Sequence, residues 1–204
     1  HRQVVGGRIE GDDAELTLGG GAVALSFGEI RGNRLRFEDT EHRVLAVADF
    51  FRLGSRAAKS NVSLESDGTG SAIDASVSVI ELRQAELAMG TELTQIESAS
   101  AGLTARNFDP SDLSRAGAEL TVVNVRGTRI LFDALHGIAL VQTSEVDQLT
   151  ADSFWFRGLG VGADGKGRFA AGVQGLEVSR ATSSGAGAGG RLDGVRVDDA
   201  GAVV

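Results

Sequence analysis

The sequence predicts an all-β fold: an elongated repetitive meander, or a β-solenoid or folded-over sheet, with room for one or two short helices. Three observations carry this. Apolar and polar residues alternate with period two through most of the chain, which gives each extended segment one apolar and one polar face. Such segments recur about every 10–12 residues, the spacing of a strand plus its turn. Finally, 204 residues include 29 Gly but only one Pro, Pro110. Gly supplies turns and bulges, and a chain nearly free of Pro keeps its backbone N–H groups for sheet ladders.

Taken in order, Val23, Leu25 and Phe27 occupy one face of the first clear segment. Leu35 and Phe37 alternate with Arg34, Arg36 and Glu38, and Val62 and Leu64 with Asn61, Ser63 and Glu65. Ile73, Ala75, Val77 and Val79 follow. Then come the pairs Leu120/Val122, Ile130/Phe132, Phe154/Phe156, Leu176/Val178 and Val195/Val197. A looser repeat runs from Ile30 to Leu35 and Phe37 and returns from Leu82 to Leu87 and Met89, with less regular copies at 113–122, 173–178 and 192–197. Two stretches also match helical spacing: 81–97, through Leu82, Ala85, Met89, Leu93 and Ile96, and 44–59, through Val44, Val47 and Phe51. Asp109-Pro110-Ser111-Asp112 reads as a turn. The stretch 182–190 (TSSGAGAGG) reads as a loop or linker inside a single repetitive domain spanning 1–204. A sheet with one greasy face is expected to fold over, close into a barrel or dock a second sheet.

Charge and composition narrow the function. The net charge of −8 repels phosphate backbones and anionic membrane surfaces, so no nucleic-acid partner is expected. No Cys is present, which removes disulfides, thiolate metal sites and cysteine nucleophiles. No apolar run reaches membrane-spanning length. Eighteen of the 20 basic residues are Arg, a bias that, with the Ala, Gly and Val content, points to a bacterial source.

No catalytic, cofactor or metal site emerges. Gly160 to Gly167 approaches a phosphate-binding loop, but Gly167 stands where a hydroxyl should hold Mg²⁺ and no helix pattern follows. It reads instead as a Gly-rich hairpin between 154–161 and 168–173. Leu159 to Asp164 resembles one turn of a calcium-binding nonapeptide, which needs stacked copies. Asp12-Asp13 and Asp198-Asp199 read as exposed turn carboxylates. His1, His42 and His136 have no local partner pattern, and Asn61-Val62-Ser63 matches the glycosylation triplet within a strand. Trp155 points away from Phe154 and Phe156, so it marks a contact surface or a covered second face.

Segments such as Gly28-Glu-Ile30-Arg-Gly-Asn-Arg-Leu35-Arg-Phe37 and Ala171-Gly-Val173-Gln-Gly-Leu176-Glu-Val178 resemble the AsmA and Lpt-type repetitive β proteins of bacterial envelopes. The resemblance covers about two thirds of the chain and implies a groove with an apolar inner face that carries lipid chains between membranes. It implies no catalytic residues, and the 182–190 stretch and the irregular repeat lengths depart from it. Two functions are therefore expected. The first is a non-catalytic structural or adaptor β-repeat module of a larger bacterial secreted, envelope or injection-apparatus protein. Its partners would be proteins or further repeats of the same chain. The alternative is a lipid-carrying or lipid-bridging module with an apolar groove of Val23, Leu25, Phe27, Leu35, Phe37, Phe154 and Phe156. No cofactor is expected in either case, and the envelope or the exterior is the expected location.

Overall fold

The computed structural model describes residues 2–5, 7–19, 21–40, 43–66, 71–109, 112–136, 139–185 and 188–204, with backbone alone at 2–5, 66, 71, 134–136, 139–141 and 188. Thirteen strands and no helix are present among the described residues: β1 (Arg2–Val5), β2 (Ile9–Gly11), β3 (Glu15–Gly19), β4 (Ala22–Phe27), β5 (Glu29–Asp39), β6 (Val44–Gly54), β7 (Ser60–Ser66), β8 (Ser71–Met89), β9 (Glu92–Phe108), β10 (Glu119–His136), β11 (Ala139–Val161), β12 (Gly167–Gly185) and β13 (Ala188–Val203). All belong to one antiparallel sheet that is not closed into a barrel.

The pairing reduces these strands to nine long rails. β6 pairs the second half of β8 and β7 the first half, so β6 and β7 run end to end along one line. β5 and β4 pair β6 and β7 in the same way, and β1, β2 and β3 line up against β5 and β4. From β8 onward each rail is one strand of 16 to 23 residues. At about 3.3 Å per residue the longest, β11, extends roughly 75 Å. Successive rails are joined as an up-and-down meander.

Both helical alternatives are overturned. Residues 81–89 and 92–97 form the two arms of the β8–β9 hairpin, which turns at Gly90 with φ +61°. Residues 44–54 are strand β6. The spacing of three from Leu82 to Ala85 spans the left-handed Gln84, whereas Val44 and Val47, and Leu93 and Ile96, lie in continuous register and so on opposite faces of their strands. The stretch 182–190 also differs from a linker: Thr182 to Gly185 pair with Arg191, Gly190, Gly189 and Ala188 as a hairpin, with 186–187 outside the described residues. Small residues there pair as strands because each rail has a neighbour of matching length. Gly160 to Gly167 is the expected hairpin, closed by Gly162 N donating to Lys166 O at 2.8 Å. Of the 109–112 turn, Pro110 and Ser111 lie outside the described residues, while Asp112 N donates to Asp109 O at 3.1 Å.

The bulges are aligned across the sheet. Arg34, Gln84 and Arg129 have φ of +57°, +46° and +46°, a left-handed conformation that L residues adopt at a cost of about 1–2 kcal/mol. The register places them on one transverse line with Asp49, Glu97, Asp147, Arg180 and Asp193. A second line passes through Asn124 (φ +53°), Asp152 and Gly175 (φ +59°), and continues to the breaks between β4 and β5 and between β6 and β7. The two lines, here termed seams, lie five residues apart on β10. Along the first seam the register is kept from Arg34 to Asp147, one residue on each strand standing opposite one on the next, so neighbouring strands shift their alternation together.

The seams explain the loose sequence repeat. On β10 the apolar residues are Leu120 and Val122, then Val125 and Gly127, then Ile130 and Phe132, shifting phase at Asn124 and again at Arg129. Each phase shift returns the apolar residues to the same face. A Cβ at Gly127 would lie 2.6 Å from Ile130 Cδ1, so these two positions face the same side across a seam. The two best repeat copies are not structurally equivalent, however. Leu35 aligns through Ala48 with Ala85, and not with Leu87.

Candidate functional site

The register arranges the apolar residues of all rails in transverse tracks on one face. One runs Leu35, Ala48, Ala85, Ile96, Ile130, Val146, Ala181, Leu192. Beyond the first seam the next runs Gly32, Phe51, Leu82, Ala99, Gly127, Leu149, Val178, Val195. Past the second seam come Val77, Leu103, Val122, Phe154, Val173, Ala200, and then Leu25, Val62, Ala75, Ala105, Leu120, Phe156, Ala171. None of these four tracks contains a charged side chain. At one end Phe156 meets Phe108 edge-on at 6.0 Å and Phe169 at 5.2 Å, which gathers aromatic rings on the same face.

Much of this face is open, although its middle is partly sheltered: Phe51 and Val77 are each 6% exposed. The chain exposes 12,630 Å², whereas a compact chain of its size would expose about 9,000 Å². Few residues are buried, and six of the nine buried apolar ones belong to this face: Ala48, Phe51, Ala75, Val77, Ala105 and Ala151. Ile9, Leu16, Leu18, Val23, Leu64, Leu87, Met89, Phe132 and Leu192 are exposed and register onto that same face. Substantial contacts between elements all run between hydrogen-bonded neighbours. Of the expected ways to shelter it, a docked second sheet is absent among the described residues, since every strand belongs to the single sheet, and that sheet is not closed into a barrel.

The predicted groove residues divide into groups. Leu25 and Phe156 share one track, Phe154 lies on the adjacent one, and Val23 aligns through Leu64 with Ile73 and Phe108. Leu35 and Phe37 share the face at the opposite ends of the rails. Phe27 does not line the open face: it is 1% exposed and plugs the break where β6 ends, its ring beside Gly54. The larger share of the face, including Ile96, Ile130, Leu82, Leu149 and Leu103, was not among those residues. The two phase shifts on β10 were the signal for it, because strict alternation loses the apolar phase at each seam.

The opposite face is polar and laced with ion pairs. Arg31 binds Glu10 through Nε at 3.0 Å and Nη2 at 2.8 Å, Arg8 reaches Glu10 at 2.7 Å, and Arg56 reaches Asp12 at 2.8 Å. The hydrogen bond from Arg31, reinforced by the charges of Arg8 and Arg31, holds the Glu10 carboxyl below its ordinary range. The same bond raises Arg31, and bonds to Asp193 and Asp198 raise Arg191 and Arg196. On the first seam Arg129 meets Glu97 at 3.4 Å, and Arg180 meets Asp147. A shallow depression of about 480 Å³ lies there, lined by Gln84, Glu86, Gln95, Glu97 and Arg129 together with Val47, Ala85, Ile96 and Leu131.

No known protein family, characterised protein or solved structure matches the chain. The remaining sequence candidates resolve as ordinary surface. Asp12 and Asp13 are exposed at a bend, but Asp198 and Asp199 lie within β13 rather than in a turn, with Asp198 bound to Arg196 at 2.9 Å. Asn61 to Ser63 sit inside β7. The three His lie outside the residues whose side chains are described. No group of three metal-ligating side chains occurs among the described residues, and no helix is long and apolar enough to cross a membrane.

Proposed function

We propose that the chain is a non-catalytic lipid-carrying module that holds acyl chains against its apolar face. The observation that carries this reading is the uncovered face itself: a continuous aliphatic surface across eight rails on a chain that exposes far more area than a compact fold. Patches beyond a few hundred Å² mark binding surfaces. Acyl chains suit this one because its tracks offer no hydrogen-bonding side chains, and a protein partner's polar rim would find none to match. Each methylene buried contributes roughly 0.8 kcal/mol. Native mass spectrometry of the purified chain, with displacement of a fluorescent fatty acid by palmitate, tests the proposal. Co-purified lipid or saturable displacement is expected, and neither appearing would refute it.

A second observation favours the structural or adaptor reading. Among the described residues the outer edges of the sheet, the rail β1–β3 and strand β13, pair on one side only. An unpaired edge accepts further strands, so repeats of the same polypeptide or a partner protein would extend the face. The two readings are compatible, and we assign either to a bacterial envelope or secreted protein. Size-exclusion chromatography with light scattering tests the edges: concentration-dependent growth in mass is expected, and a monomer at all concentrations would count against edge pairing.

A further inference from the structure

The apolar face differs at its two ends. At one end it finishes in the rings of Phe108, Phe156 and Phe169. At the other, the transverse row beyond the Leu35 track runs Leu87, Thr94, Phe132, Ser144, Ser183 on β8 to β12. Thr94, Ser144 and Ser183 stand two residues from Ile96, Val146 and Ala181 and share their side of the sheet. Hydroxyls therefore replace aliphatic side chains at this end. Ser144 Oγ donates to Ser183 Oγ at 3.1 Å, and Gln142 Nε2 donates to the same oxygen at 3.3 Å. A hydroxyl has two acceptor lone pairs and one proton. Both lone pairs of Ser183 are engaged, so its proton is left for a further acceptor, and Gln142 Oε1 beside it is left to accept. Two residues beyond Thr94 stands the exposed carboxylate of Glu92. Among the described residues no Arg or Lys lies on this row or on the four apolar tracks.

We infer that the lipid carried here is an acylglycerol, its uncharged glycerol end held by Ser183 and Gln142 and its chain running along the rails toward Phe156. The inference rests on the carrier reading above and adds the headgroup and its direction to it. An acylglycerol brings an ester carbonyl that accepts from Ser183 and a free hydroxyl that donates to Gln142 Oε1. A carboxylate or an ionised phosphate only accepts. Either would satisfy Ser183 but would set its charge against the lone pairs of Gln142 Oε1, near Glu92, with no cation to pair it. The net charge of −8 opposes both further. The aromatic end has no such donor and acceptor pair among the described residues, so it takes the tail.

Three lipids with one chain and different headgroups test this: monopalmitoylglycerol, palmitate and palmitoyl lysophosphatidic acid, each displacing a fluorescent fatty acid from the purified chain. Monopalmitoylglycerol should act at about tenfold lower concentration than either anion, the scale of two hydrogen bonds that the anions make only in part. Gln142→Leu should weaken monopalmitoylglycerol about fivefold and leave palmitate unchanged. Gln142→Arg supplies the missing cation and should strengthen lysophosphatidic acid until the preference is lost. Gln142 is exposed, so the circular dichroism of the sheet should be unchanged in both variants. Equal displacement by all three lipids, tighter binding of an anion, or an unaltered preference in Gln142→Leu would overturn the headgroup assignment while the carrier reading stands. Displacement by none of them would overturn both.

Discussion

Val122→Asp separates an open binding face from a self-packed core. Val122 lies mid-sheet on β10, between Leu103 and Phe154, and all three are half-buried. Were the face a closed core, an unpaired carboxylate there would cost about 3–5 kcal/mol, a large share of total stability. On an open face the carboxylate stays hydrated. The loss is then the partial burial of one Val, about 1 kcal/mol, plus strand propensity of at most about 1 kcal/mol. Ligand binding responds differently. An acyl chain lying on one face loses roughly half its methylene surface, about 0.4 kcal/mol per methylene. Lifting about three methylenes off the hydrated carboxylate then costs about 1.2 kcal/mol, close to tenfold in affinity. Urea denaturation and fluorescent fatty-acid displacement measure the two quantities on one sample. A variant that remains folded but binds about tenfold more weakly is expected. Loss of the fold would show that the face is internal packing, and unchanged binding would show that acyl chains do not use it.

Gly54→Ala should destabilise by about 3 kcal/mol or more in urea melts, because Gly54 has φ +75° and a Cβ would lie 2.8 Å from Ser60 Oγ and 3.0 Å from Phe27 Cε2. Gly90→Ala, at φ +61° with nothing within 4 Å, should cost only about 1 kcal/mol, and equal losses would discredit the packing at the strand break. At the first seam Arg129→Val should cost about 2 kcal/mol because a β-branched residue resists φ +46°, while Arg129→Gly should stay within about 0.5 kcal/mol as relieved strain offsets a weak surface ion pair. The depressed Glu10 carboxyl contributes stability above its unfolded pKa and loses it as pH falls through the lower folded value, since the unfolded form then binds the proton first. Thermal melts from about pH 7 to about pH 3 should therefore decline less steeply on the acid side for Glu10→Gln, and identical acid limbs would remove Glu10 from the account.

Much of this was legible from residue order because strand side chains alternate by geometry. Val62 and Leu64, Phe154 and Phe156, or Val195 and Val197 needed only that rule to be placed in strands. What alternation does not encode is the seam. Around Arg34, Gln84, Asn124 and Arg129 the apolar phase shifts by one, which at Leu82 to Ala85 reads on paper as a helical spacing of three; in 44–59 the same spacing comes instead from Val44 and Val47 on opposite faces of one strand. Arg and Gln give no local warning of a left-handed backbone, unlike Gly175 on the second seam. Their conformation is imposed by neighbouring rails that bulge at the same level, as Arg34, Gln84 and Arg129 do along one line. Of the three ways expected to shelter the greasy face, the structure removes the closed barrel and, among the described residues, a docked second sheet, for a related reason: a pattern tells which side of a strand is greasy, but not how the chain shelters it.

The aligned seams also bear on what the face can hold. An unbroken rail of some 20 residues would twist continuously and carry its apolar track around with it. Two irregularities five residues apart on β10, matched on the neighbouring rails, bring Val125 and Gly127, an odd number of residues from both Leu120 and Ile130, onto the face those two share, so the apolar surface runs unbroken for about 33 Å along the strand. Residues that pay for left-handed backbone on several rails, with charged side chains such as Arg129 and Glu97 paired on the opposite face, keep that surface continuous without filling it. A protein core would gain nothing from such continuity, since it can be divided into separate clusters. A long flexible apolar ligand gains from every added track, and a ligand of that kind is what the arrangement of these bulges is suited to receive.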